Sequence, residues 1–271
     1  MNNIEIIYFI STIIFSIIIT PVIKGLVEKF IKEDKILEKV EEDIQNEIKK
    51  GNITKKQGEI KFKEEVRKNK IKFKPKFSFK ILIITLILNI VLVGIKIFFK
   101  QLNILEFIVY EFLLTILLID AYADIKGYII PNETNFLGFI VGTIYVFYNF
   151  VTNTEVGIDL LLGAIFGFTI FLIISFIALL IFKKEGMGGG DIKLMGVIGL
   201  FMGLKNNIQI FIFSFFIAAI IGGFLIIIKR KSASDYIPFG PFIVMATYIT
   251  MIVPAQATIN YILDLIPIYH I

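Results

Sequence analysis

Two carboxylates stand where long apolar runs of this sequence begin or end. Asp124 closes one run in LLIDAYADIKGYIIPN, and Asp191 opens another in EGMGGGDIKLMG. Ionisable side chains near membrane-length apolar runs are rare and costly, about 2.5–3.5 kcal/mol each at a helix centre on insertion scales. Two carboxyl groups sharing one proton can hydrolyse a peptide without metal, Cys or His. The ionised partner takes a proton from water as general base, and the protonated partner polarises the scissile carbonyl or protonates the leaving amine. Like charges a few ångströms apart do not both ionise easily, so such a pair titrates as a unit. Gly186, Gly188, Gly189 and Gly190 precede Asp191. Without Cβ atoms they permit close approach of a substrate strand, and they are expected to form an irregular interfacial loop. Pro131 is expected to break the chain after Asp124, with Asn132 capping the helix that follows.

The same residue types have plainer uses. Asp191 can cap the helix it opens. Asp120 lies one turn before Asp124 on the same helical face, and can be the catalytic member instead or a cation ligand. Lys193 can pair with Asp191 or extend to lipid headgroups. A glycine-rich stretch can cradle phosphate, but this one lacks the Gly-Lys-Ser/Thr ending of a phosphate loop. The chain has no Cys, and its one His, His270, is one residue from the end. That composition removes Cys nucleophiles, disulfides and Cys-ligated metal centres, and leaves little basis for a His triad or zinc site.

The elements that must position these residues are membrane helices. Hydrophobic residues make up 56% of the 271, and the mean hydropathy is +0.83. Soluble domains lie nearer 45–50% apolar, as a rough norm. The apolar runs approach the ~20 residues that span a bilayer, without strand-like alternation. We expect an all-α, polytopic helical bundle of about eight spans, near 4–23, 81–99, 104–123, 133–151, 158–182, 191–204, 208–228 and 237–257. The sixth is short for a crossing. The first lacks a basic flank and a small-residue cleavage site, and is expected to remain as a membrane helix.

With the N-terminus outside, 25 of the 28 Lys and Arg residues fall on the cytosolic side. Eighteen lie in 24–80; the others are Lys126, Lys183, Lys184, Lys193, Lys229, Arg230 and Lys231. This satisfies the positive-inside rule. It also puts Asp124 and Asp191 on one side, because two crossings separate them. The expected divisions are an N-terminal transmembrane helix (1–23), a charged cytosolic helical insert (24–80) and the remaining membrane domain (81–271). In the insert, Leu26, Phe30, Leu37, Val40, Ile44 and Ile48 recur at helical spacing. Gly51-Asn52 marks a break, and Thr54 with Gln57 has capping-box spacing for a second helix to about Lys70. The expected form is a helical hairpin, serving as a solvated charged face near anionic lipid or as a docking surface.

Three motifs resemble those of the type IV prepilin peptidases, membrane aspartic proteases of the GxGD class. Asp124 stands eight residues before the Asn of Ile130-Pro131-Asn132. Gly186 to Leu194 reads GMGGGDIKL. Ile237 to Pro241 reads IPFGP. The resemblance spans about residues 105–250 and implies that Asp124, rather than Asp120, is catalytic, together with Asp191. It implies an aspartic endopeptidase of the plasma membrane, active at the cytosolic face. Such enzymes remove the basic leader of prepilins and pseudopilins just before a hydrophobic helix. Gly188, Gly189 and Gly190 are then expected to admit the substrate strand, with Pro238 and Gly240 shaping the cleft. Cytosolic lysines are expected to attract an acidic residue of the pilin stem and to repel the basic leader.

Expected partners are prepilins or pseudopilins, the lipid bilayer and pilus or secretion assembly proteins, with no nucleic acid. No cofactor or metal is expected. Family members that methylate the new N-terminus with S-adenosylmethionine usually carry paired Cys-x-x-Cys zinc ligands in the insert. This chain has none, so methylation is the less expected outcome. The alternatives are a preflagellin-type peptidase, or a cation channel or transporter that uses Asp120, Asp124 and Asp191 as ligands.

Overall fold

Hydrocarbon offers the backbone no water, so an apolar run must close its hydrogen bonds on itself, as a helix does. A computed structural model describes residues 3–50, 52–69, 71, 73–98, 104–183, 186–228 and 237–265. Among these residues there are helices and no strands: α1 (Asn3–Lys49), α2 (Lys55–Lys68), α3 (Phe79–Phe98), α4 (Ile104–Gly127), α5 (Asn132–Thr152), α6 (Thr154–Phe182), α7 (Gly189–Ile227), α8 (Gly240–Ile252) and α9 (Ala255–Leu265). The all-α helical expectation holds. Lys184 and Glu185, residues 229–236 and His270 lie outside the described residues.

Four helices, rather than eight, are long and apolar enough to cross a bilayer on length and composition among the described residues: Ile6–Lys49, Asn132–Thr152, Thr154–Ile181 and Gly189–Ile227. The difference has identifiable sources. α4 has the length, but it carries Glu106, Glu111, Asp120, Asp124 and Lys126. Phe79–Gly94 and Gly240–Ile252 are apolar but shorter. The sixth and seventh runs are merged in α7, whose 39 residues would extend about 58 Å if straight.

α7 is not straight. Gly203 has φ 76° and ψ 175°, a conformation that side chains resist. Neighbours along α6 trace the result. Gly163 abuts both Gly199 and Gly203, and Gly167 abuts both Met195 and Asn207. Further along, the Phe171 ring meets Phe211 and Phe215, while the Ser175 hydroxyl donates to the Met187 carbonyl. The two halves of α7 therefore run antiparallel, both against α6. Buried Asn207 bridges them, donating to the carbonyls of Gly163 (2.7 Å) and Met195 (3.3 Å). The reversal returns the chain to the end of the bundle that holds Asp191.

Leu113, Leu117, Leu194, Met195, Ile198 and Ile243 are fully buried between α4, α7 and α8. On the periphery the polarity of a soluble protein is inverted: Phe147 is 70% exposed and Ile181 66%. Such a continuous apolar exterior requires a lipid neighbour.

α1 runs without interruption across residue 23, with Pro21 inside it, so the apolar run and the first charged helix are one element. Asn52 and Ile53 are non-helical and the capping box at Thr54 forms as the spacing predicts, while Gly51 lies outside the described residues. Thr54 N–H donates to Gln57 Oε1 (2.9 Å) and Gln57 N–H to Thr54 Oγ1 (3.3 Å). α2 folds back on α1, with Lys61 paired to Glu47 at 2.6 Å. Ile23, Val27 and Phe30 of α1 pack on Ile119 and Ala123 of α4. The charged hairpin thus projects from the end of the bundle where Asp124 lies.

Candidate active site

Asp124 occupies the last turn of α4. That helix stops at Gly127, and Tyr128 takes a left-handed conformation (φ 56°) with its N–H on the Asp124 carbonyl at 2.9 Å. Ile129 and Ile130 continue without helix to Pro131, the N-cap of α5. Asp191 lies in the first turn of α7, whose N-cap is Gly188; the Asp191 N–H donates to the Gly188 carbonyl at 3.1 Å. Acidic side chains are favoured at helix N-termini by the unpaired N–H groups there.

The third segment meets the first. The backbone N–H of Gly240, the first residue of α8, donates to Asp124 Oδ2 at 2.8 Å. A Cβ on Gly240 would lie 2.7 Å from that oxygen, so only glycine allows this approach. Phe239 anchors the segment, with its ring 4.9 Å from Phe215 and 6.1 Å from Phe171. Ile130 wedges between the segments: a Cβ on Gly190 would lie 2.8 Å from its Cβ, and one on Gly240 3.2 Å from its Cδ1. All three motifs therefore meet around one isoleucine.

Asp124 is 3% exposed, Asp191 4% and Asp120 0%. Asp191 Oδ1 is buried without a hydrogen-bond partner. Asp120 Oδ1 accepts from the Thr134 hydroxyl at 2.5 Å, and its other oxygen has no partner. Of the adjacent aspartates, Asp124 faces the third motif and Asp120 faces α5. Among the described residues no three His, Cys, Asp or Glu side chains gather as metal ligands.

Several local expectations are revised. Asn132 does not cap α5; its Oδ1 accepts from Lys193 Nζ at 2.7 Å, which ties the start of α5 to the first turn of α7. Lys193 is therefore engaged with Asn132 rather than with Asp191. Gly189 and Gly190 are already helical, so the irregular loop is confined to the residues before them. Glycine is tolerated in an opening turn, and Gly188 serves as the N-cap. Of the glycines expected to meet substrate, Gly190 packs on Ile130, Gly240 on Asp124 and Gly188 beside Asp191 Oδ2. Gly189 has nothing within 4 Å of its Cβ position. Pro238 is half-buried next to Phe239. Sequence reasoning missed Ile130 as the wedge and Thr134 as the partner of Asp120. The turn spacing around Pro131 is the signal that pointed nearest to both.

Apolar grooves flank this corner on both sides of the α5 N-terminus. One, of about 630 Å³, is lined by Asn132, Asn135, Lys193, Phe168 and Leu200. The other, of about 850 Å³, is lined by Glu111, Thr134 and apolar residues of α1 and α4.

Comparison with known proteins bears on the same corner. Residues 111–226, less than half of the chain, match the type IV leader peptidase family. The chain is 31% identical over 104 residues to a prepilin leader peptidase/N-methyltransferase of Pseudomonas aeruginosa, covering 38% of this chain and 36% of that protein. It is 33% identical over 132 residues to the protein of that name from Bacillus subtilis, covering 48% and 49%. For the Xanthomonas campestris pv. campestris protein the identity is 33% over 89 residues, covering 33% and 31%. The chain thus spans about a third to a half of the length of the curated relatives it matches. No solved structure matches. With four bilayer-length apolar helices, the chain is a multi-pass membrane protein, and its segment 111–226, which holds both Asp124 and Asp191, is similar to the type IV leader peptidase family.

Proposed function

We propose that this protein is a membrane-embedded aspartic endopeptidase that removes the basic leader from type IV prepilins or pseudopilins, with Asp124 and Asp191 as its catalytic pair. The observation that carries the reading is the buried corner where Gly240, whose N–H holds Asp124, and Gly190, next to Asp191, both pack on Ile130. One aspartate, ionised, takes a proton from water, and the water oxygen bonds to the scissile carbonyl carbon. The other, protonated, gives its proton to the leaving nitrogen as the C–N bond breaks. The open face at Gly189 is where a substrate strand approaches, with Gly188 next to it in the chain, and Pro238 shapes the cleft.

The cut is made at the cytosolic face of the plasma membrane. Support comes from the charged α1–α2 hairpin, which projects from the same end as Asp124 and, with its lysines, is cytosolic by the positive-inside rule. No methyl transfer from S-adenosylmethionine is assigned, because the chain has no Cys to supply paired zinc ligands.

The test is coexpression with a prepilin, following leader loss on a gel. Asp124→Ala and Asp191→Ala should each abolish processing. Wild-type processing by either variant overturns the pair. Ion flux that depends on both residues, without any cleavage, would favour a channel instead.

A further inference from the structure

The catalytic corner leaves one buried carboxyl without a task. Glu111, on α4, is 5% exposed, and neither of its side-chain oxygens has a hydrogen-bond partner. Nearby hydroxyls are committed elsewhere: Thr115 donates to the backbone carbonyl of Glu111, Ser11 to that of Tyr8, and Thr134 to Asp120. Glu111 lines the groove of about 850 Å³ bounded by α1, α4 and the start of α5, with Ile14, Phe30, Phe112 and Leu137 among its apolar walls. A carboxyl in such surroundings calls for a donor.

Acyl chains can fill an apolar groove, but they offer no donor. A helix has spent its backbone N–H groups internally. The occupant that satisfies both groove and carboxyl is an apolar helix carrying one side-chain hydroxyl, amide or ammonium group at the depth of Glu111. The groove is also continuous with the catalytic end of the bundle, since Thr134 both lines it and holds Asp120, one turn before Asp124. Glu111 precedes Asp124 by thirteen positions on one helix, about 20 Å along its axis. A helix lying along α4 from the aspartates, where the leader would have to end, reaches Glu111 about thirteen residues later.

We infer that this groove seats the apolar helix of the leader-bearing substrate, and that Glu111 hydrogen-bonds a polar side chain within that helix. The inference rests on the peptidase reading. It adds recognition inside the membrane to whatever is read in the leader.

Two measurements test it. In proteoliposomes, cleavage of a full-length prepilin is compared with cleavage of a soluble peptide carrying only the leader and cut site. Glu111→Leu fills the space of the carboxyl and removes the acceptor. The KM for the full-length substrate should rise about tenfold, the scale of one lost hydrogen bond, with a much smaller rise for the peptide. Glu111→Gln, which keeps an acceptor, should recover most of the affinity. Equal effects of Glu111→Leu on both substrates, or none on either, overturn the groove while leaving the peptidase reading intact. Failure of the wild type to cut either substrate overturns that reading instead. Independently, a photo-crosslinking phenylalanine at Phe112, in an Asp124→Asn background that holds substrate uncut, should capture the prepilin helix. Capture of lipid alone, or of a second copy of the chain alone, overturns the assignment.

Discussion

Asp124 and Asp120 stand one helical turn apart, yet their surroundings differ. Asp124 receives the Gly240 N–H at 2.8 Å, whereas Asp120 receives the Thr134 hydroxyl at 2.5 Å. A hydrogen bond to a charged group contributes on the order of 1.5–3 kcal/mol, and here it also fixes where the Asp124 carboxyl points. Gly240→Ala puts a methyl group 2.7 Å from Asp124 Oδ2. Overpacking of this kind typically costs about 1–3 kcal/mol. In steady-state assays kcat should fall at least about tenfold with little change in KM, because positioning rather than binding is lost. A raised KM with unchanged kcat would instead make Gly240 a substrate contact. At this scale the sequence was legible in part. The resemblance to the prepilin peptidases, in which the aspartate stands eight residues before the Asn of the Ile-Pro-Asn turn, picks out Asp124 over Asp120 before any coordinates. The Gly240 contact was not legible, because it joins a carboxyl to a backbone donor 116 residues away. Nor was the engagement of Asn132: a helix-capping residue type gives no sign that a lysine from another helix will claim its oxygen.

Between elements, the Lys193–Asn132 hydrogen bond joins the first turns of α7 and α5, the two helices flanking the Ile130 wedge. It touches neither aspartate, so Lys193 is a positioning residue. Lys193→Met should lower kcat by roughly threefold to tenfold, the range of one modest hydrogen bond. Asn132→Ala on top of it should add little, since both remove one interaction. Additive losses would mean that the two residues act separately. The helices were more legible than their junctions. Thr54 and Gln57 announce the start of α2, and the capping box is present. The continuity of α1 through Pro21 was hidden by the change from apolar to charged residues. That change alters the surroundings of the helix but does not interrupt its backbone hydrogen bonding. The turnabout at Gly203 was legible only as a gap between two apolar runs, because a positive φ at one glycine leaves no periodicity to read.

For the whole molecule, the decisive arrangement is that the charged hairpin, Asp124, Asp191 and Gly240 share one end of the bundle, while Gly203 turns the chain at the other. Composition and basic-residue distribution predicted the shared end; of the eight expected spans, four helices qualify on length and composition among the described residues, α4 being too acidic and α8 too short for that count. The absence of Cys makes orientation directly measurable. A single cysteine at Asn52, between α1 and α2, should react with a membrane-impermeant maleimide only in inverted vesicles, and one at Asn153, between α5 and α6, only in intact cells. Labelling of both from one side would contradict the topology. The central claim, that Asp124 and Asp191 act as one catalytic unit, is tested most directly by prepilin cleavage rates for Asp124→Asn, Asp191→Asn and the double variant in proteoliposomes. Each single variant should lose about a thousandfold or more in kcat, and the double variant should be no slower, because members of one catalytic unit are strongly non-additive. Near-wild-type cleavage by either single variant, or losses that multiply in the double, would contradict the account.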